Sequence, residues 1–106
     1  MEKSFKSETM KLKKILENKR EEIREIATKH GAYNIRVFGS VARGEDDEKS
    51  DIDFLIDYDL SKITPWFPSG MIQDLQLLLG RKVDSVTVEG LKERIKNKVL
   101  EEAIYL

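Results

Sequence analysis

Short β-branched segments alternating with amphipathic helical stripes predict an α/β (α+β) chain, a mixed sheet of three or four strands packed with helices. Three observations carry this. Apolar residues recur at helical spacing before the first strand and again around residues 70 and 95. Three segments rich in Val, Ile, Phe and Thr are each too short to be helices. Glycines fall where the pattern changes, at Gly31, Gly39, Gly44 and Gly80. No repeat or low-complexity linker interrupts the 106 residues, so a single domain over 1–106 is expected, with the polar residues 1–7 frayed.

The first helix is expected from Thr9 to Lys29, burying Leu12, Ile15, Leu16, Ile23, Ile26 and Ala27, with Lys19 filling one apolar slot. Gly31 ends it, with His30 in the last turn beside the negative end of the dipole. Tyr33 to Phe38 reads as a strand, broken by Gly39-Ser40, and Val41-Ala42-Arg43 has room for one helical turn. Gly44 to Ser50 is an acidic loop, its Glu45-Asp46-Asp47-Glu48 run read as a solvated tip. Asp51 to Tyr58 is the second strand, with Ile52, Phe54 and Ile56 on one face and Asp57 turned to solvent. Pro65-Trp66-Phe67-Pro68 lies in the next connection, its two rings suited to covering the sheet edge or meeting a partner.

A helix from Ser69 to Gly80 buries Met71, Ile72, Leu75, Leu78 and Leu79. Lys82 to Val88 is the third strand. The last helix, from about Leu91 to Ala103, runs through Ile95 and Val99, with Ile104-Tyr105-Leu106 extending beyond it.

Composition narrows the chemistry. With no cysteine, a disulfide framework, a thiolate zinc site and a cysteine nucleophile are excluded. The single histidine excludes a multi-histidine metal site. No apolar run approaches the roughly 18–20 residues of a membrane span and no signal-peptide pattern opens the chain, so a cytoplasmic protein without a membrane partner is expected. Charge is balanced overall at −1, but residues 31–60 carry −5 between segments of +3 and +1. A phosphate-backbone binder needs a basic stripe, so nucleic acid is not expected as a direct partner.

Two features stand apart from this layout. Gly39-Ser40 follows a strand and opens a helical turn, where free N–H groups and the Ser40 hydroxyl make an anion site suited to phosphate. In isolation such a pair is far more often a simple helix cap. Asp51-Ile52-Asp53 then opens a strand, so its two carboxylates project from one face while Ile52 turns into the core. Like charges this close repel, and a hard divalent cation such as Mg²⁺ relieves them. A solvated acidic edge would read the same way.

Asp84 is a third acid, set between Val83 and Val86 in the third strand. If that strand neighbours the second, three carboxylates lie beside a phosphate cradle, the layout of two-metal phosphoryl or nucleotidyl transfer.

In full, the residues read Gly39-Ser40-Val41-Ala42-Arg43-Gly44, six more, then Asp51-Ile52-Asp53-Phe54, a G-S-x10-D-x-D pattern. With Gly80 to Asp84 and the tail Glu102-Ala103-Ile104-Tyr105, this resembles the DNA polymerase β-type nucleotidyltransferase superfamily. More narrowly it resembles the minimal nucleotidyltransferases of the MntA antitoxin type, over nearly the whole chain. The resemblance implies a small nucleotidyltransferase fold in which Gly39, Ser40 and Arg43 hold the triphosphate of ATP. It makes Asp51 and Asp53 the catalytic pair, with Asp51, Asp53 and Asp84 the ligands of two Mg²⁺ ions. It also implies a HEPN-domain toxin RNase as partner and a toxin tyrosine as acceptor of AMP. Two other readings stay open. One is an antitoxin that blocks its toxin by contact alone; the other is a nucleotidyltransferase with a small-molecule or RNA acceptor.

Overall fold

The computed structural model describes residues 12–106. Helices α1 (Leu12–Asn18) and α2 (Arg20–Lys29) lead into strand β1 (Ala32–Phe38) and the four-residue α3 (Ser40–Arg43). Strand β2 (Ile52–Tyr58), helix α4 (Ser69–Leu79), strand β3 (Val83–Thr87), helix α5 (Glu93–Glu102) and strand β4 (Ile104–Tyr105) follow. The sheet runs β3-β2-β1-β4, with β2 and β3 parallel and β1 antiparallel to both β2 and β4. It is the mixed four-stranded sheet that the strand pattern predicts, completed by the last residues of the chain.

The core forms where helices α2 and α4 lie on the sheet and on each other. Ile52, Phe54 and Ile56 of β2 are fully buried, as strand alternation requires of one face, and they meet Ile23 and Ala27 of α2 and Met71 and Leu75 of α4. Leu55, on the opposite face, is also fully buried, so that face is covered at its centre and open where Asp53 and Asp84 lie.

Several expectations change in detail. The long first helix is interrupted at Lys19, the one polar residue in its apolar stripe. The interruption is shallow. Lys19 N–H donates to the Ile15 and Leu16 carbonyls at 3.1 and 3.2 Å, and the Lys19 carbonyl accepts from Ile23 N–H at 3.0 Å. Its expected start, Thr9 to Lys11, lies outside the described residues, as does the expected fraying of 1–7. Ile95 is exposed rather than buried, because α5 rests on the body through Val99.

The acidic run is not wholly solvated. Asp46 is buried and its Oδ2 accepts the Leu12 N–H at 3.2 Å, tying the loop to the first helix. Asp57 likewise does more than face water. It accepts from Asn34 Nδ2 at 3.0 Å and from Arg36 Nη2 at 3.1 Å, neutralising a guanidinium that is only 5% exposed. Asn34, at φ +51, takes the left-handed conformation where β1 shifts register, and Arg36 stacks over the Tyr105 ring at 5.1 Å. His30 caps α2 and its Nε2 lies 2.8 Å from Asp74 Oδ2 on α4, a second tie between the two helices. Trp66 is exposed, whereas Phe67 packs at the core and meets the Tyr58 ring at 5.5 Å.

Gly31 joins α2 to β1 at φ +85, and a Cβ there would stand 2.9 Å from the Lys62 backbone. Backbone offers no soft group to move aside. Gly31→Ala is expected to lower stability by about 2 kcal/mol, which thermal unfolding would register as a midpoint roughly 10 °C lower.

Candidate active site

The site begins where β1 ends. Gly39 has φ +77 and ψ −151, a region open essentially to glycine, and it swings the chain from Phe38 into α3. Gly44, at φ +73, closes the helical turn. Among the described residues, the N–H groups of Ser40, Val41 and Ala42 and the Ser40 hydroxyl have no hydrogen-bond acceptor. That is the condition of any first helical turn, and here it leaves these donors without a partner in the fold.

The two features read separately from the sequence are in contact. Phe38 pairs with Asp53 across β1 and β2, and a Cβ on Gly39 would stand 2.6 Å from Asp53 Oδ2. The glycine is required by its own backbone, and a side chain there would also push the Asp53 carboxylate aside from the turn that carries the donors.

Asp84 joins them through the sheet. Strands β2 and β3 are parallel with Asp53 opposite Asp84, so both side chains leave the same face about 5 Å apart. The entrance of this pair is locked by Ile52 N–H donating to the Lys82 carbonyl at 2.9 Å and by Arg81 Nη2 donating to the Ser50 carbonyl at 2.5 Å. Asp51 precedes β2 by one residue, and its Oδ2 lies 3.9 Å from Lys82 Nζ at the solvent edge. Among the described residues no group of three or more His, Cys, Asp or Glu side chains stands close enough to be a closed metal site. Asp53 and Asp84 are adjacent, and Asp51 stands at the rim.

Asp53 holds its proton more tightly than an ordinary carboxyl. Partial burial is the largest cause, followed by the charges of Asp84 and Asp51, while Arg43 opposes the shift and Glu102 adds to it. The site thus carries more negative charge than its own cations balance.

Arg43 is the last residue of α3. Its Nε donates to Glu45 Oε1 at 2.9 Å and its Nη1 to Glu102 at 3.0 and 3.2 Å. Glu102 Oε2 also accepts the Gly39 N–H at 2.7 Å, so Gly39 provides close approach and the free donors are those that follow it. Glu102 stands 63 residues from Gly39 in sequence; it was visible as part of the tail pattern, but no local signal gave it a place in the site. His30, Trp66 and Tyr105 lie apart from these residues in their interactions, the first paired with Asp74 and the last under Arg36.

Comparison with known proteins agrees with this geometry. The family described as "Nucleotidyltransferase domain" matches residues 10–106. Protein adenylyltransferase MntA of Thermococcus cleftensis is 38% identical over 94 residues, which span 81% of this chain and 94% of that protein. A solved structure described as a minimal nucleotidyltransferase superposes with a TM-score of 0.79 at 40% identity, covering 92% of this chain and 98% of the other. A toxin–antitoxin crystal structure with AMP-PNP shares the fold, with a TM-score of 0.65 at 21% identity over 84% of this chain and 70% of that one. A glycine turn pressed against an aspartate, a second aspartate opposite it in a parallel strand, and a match along nearly the full length all lead to one conclusion: the chain belongs to the nucleotidyltransferase family.

Proposed function

We propose that this chain is a Mg²⁺-dependent protein adenylyltransferase that acts as the antitoxin of a HEPN-family toxin RNase, transferring AMP from ATP to a tyrosine of that toxin. The observation that carries the reading is the contact of Gly39 with Asp53, which sets phosphate donors against carboxylates. The T. cleftensis relative bears the protein adenylyltransferase name, and the toxin–antitoxin structure with AMP-PNP shares the fold.

In this reading the N–H groups of Ser40 to Ala42, the Ser40 hydroxyl and Arg43 take the triphosphate of ATP. Asp51, Asp53 and Asp84 would hold Mg²⁺, two ions in the full arrangement. Their oxygens are hard donors, and Asp53, whose proton affinity is raised first by burial and then by the charges of Asp84 and Asp51, is a carboxylate that a divalent cation would stabilise in its ionised form. The metal supplies neutralisation of the phosphates and a lowered pKa for the attacking hydroxyl. The tyrosine oxygen bonds to the α-phosphorus, the bond to the β-phosphate oxygen breaks, and pyrophosphate leaves. Asp84 is the most exposed of the three acids, and in this reading it is the group that would take the proton of an incoming hydroxyl.

The acidic surroundings, −5 over residues 31–60, favour a protein acceptor over an RNA end. Toxin neutralisation in cells tests the reading against simple blocking. Growth rescue by the wild type is expected to vanish with Asp51→Asn and with Asp53→Asn, provided both variants accumulate normally. Full rescue by either would establish inhibition by contact and end the enzymatic account.

A further inference from the structure

We infer that Glu102 is a positioning residue of the nucleotide site, holding the Gly39 turn and the Arg43 guanidinium so that the outer edge of that guanidinium meets a phosphate oxygen. The inference rests on the nucleotidyl-transfer reading above and adds to it a residue from the far end of the chain.

Strand pairing brings Glu102 there. Strand β4 pairs with β1 through Tyr105 opposite Arg36 and Ile104 opposite Val37. Carrying that antiparallel register on by two residues sets Glu102 opposite Gly39. Its carboxylate then uses both oxygens: Oε2 accepts the Gly39 N–H at 2.7 Å, and Oε1 and Oε2 accept from Arg43 Nη1 at 3.0 and 3.2 Å. The side chain is 17% exposed.

The placement runs against helix electrostatics. Glu101 and Glu102 end α5, with no basic residue in its last turn, where the dipole disfavours negative charge. Local stability does not account for Glu102; the two donors across the sheet edge do.

The consequence lies in Arg43. Glu45 takes its Nε and Glu102 its Nη1, so the planar fork is held on two sides while Nη2 has no acceptor among the described residues. A guanidinium already fixed has less rotamer freedom to lose when a phosphate arrives.

The test is a double-mutant cycle in the full-length chain, read by equilibrium binding of AMP-PNP with Mg²⁺. Glu102→Ala is expected to weaken binding about tenfold, the order expected for one lost charge-assisted contact. Arg43→Ala weakens it at least as much, and the double variant is expected to lose less than the sum of the two single losses, because part of the Glu102 effect runs through Arg43 and the rest through Gly39. The isosteric Glu102→Gln keeps an acceptor for Gly39 but turns an amide toward Arg43, and is expected to fall between wild type and Glu102→Ala. It carries the test if the alanine variant does not fold. Unchanged or tighter binding in Glu102→Ala, or additive losses in the double variant, would overturn the inference.

A second readout needs no nucleotide. Hydrogen exchange of the Gly39 amide is expected to accelerate in Glu102→Ala and to stay near the wild-type rate in Glu102→Gln, while the Val37 amide keeps its protection in both; unchanged Gly39 exchange in Glu102→Ala would also overturn the inference. If the wild type binds no AMP-PNP, the nucleotidyl-transfer reading fails by itself, and Gly39 exchange alone decides whether Glu102 holds the turn.

Discussion

Asp53→Asn is expected to abolish transfer and, in the absence of metal, to make the fold more stable at neutral pH. The two effects share a cause. Asp53 is partly buried against Asp84 and Asp51, which raises its pKa above the usual 3.8. The folded chain therefore binds this proton more tightly than the unfolded chain does. Stability that is present below the unfolded pKa is lost as pH rises through the folded one, and at pH 7 the ionised carboxylate is a standing penalty.

An asparagine carries no charge, so the penalty disappears. A higher unfolding midpoint than that of the wild type is expected at pH 7. The gain should shrink as pH falls through the raised pKa and vanish below about pH 3.8, where both carboxyls are protonated. Transfer should fall on the order of 10³-fold or more, equivalent to about 4 kcal/mol of transition-state stabilisation. Thermal unfolding across pH, paired with activity, checks both halves. A variant that is less stable at pH 7 yet still active would contradict the assignment of Asp53 to the centre of the site.

Gly39→Ala is the second large effect, and it acts through structure. Alanine at φ +77 and ψ −151 is strained whatever the space, and its Cβ would stand 2.6 Å from Asp53 Oδ2. Together these are expected to cost about 2–3 kcal/mol. For a chain of this length that lowers the midpoint by roughly 10–20 °C, and the transfer activity should go with it. The two causes separate in a cycle with Asp53→Ala. Removing the carboxylate relieves the clash but not the backbone strain, so the double variant should lose less stability than the sum of the single changes. Strictly additive losses would show that Gly39 and Asp53 are not in contact.

These expectations rest on features that differ in how legible they are from sequence. The strands and the Asp51–Asp53 pair are readable because side-chain direction alternates locally, and burial of Ile52, Phe54 and Ile56 follows the same alternation. Asp84 is readable as an anomaly, an acid in an apolar strand. Its place opposite Asp53 depends on β2 and β3 being neighbours, which local pattern suggests but does not fix. Glu102 and Asp46 could not be found this way, since each acts on a residue more than thirty positions distant. Strand β4 has only two residues, too few for alternation to register. The interruption at Lys19 shows the reverse limit, because periodicity continues across it while the helix does not.

An acidic site on a small sheet also bears on what can dock there. Asp51, Asp84 and Glu45 leave the open face negative around the donor row of α3, and Lys82 and Arg43 are already paired with Asp51, Glu45 and Glu102. An acceptor protein is therefore expected to bring basic residues to this face.

The central claim is nucleotidyl transfer to a partner protein, and intact mass measures it most directly. The HEPN protein that copurifies from the native host would be incubated with this chain, ATP and Mg²⁺, with Asp53→Ala run beside the wild type. Mass increments of whole AMP units with the wild type, absent with Asp53→Ala and absent when Mg²⁺ is chelated, are the predicted result. A partner that stays unmodified while bound and silenced would contradict the account and leave an antitoxin that works by contact on a nucleotidyltransferase fold.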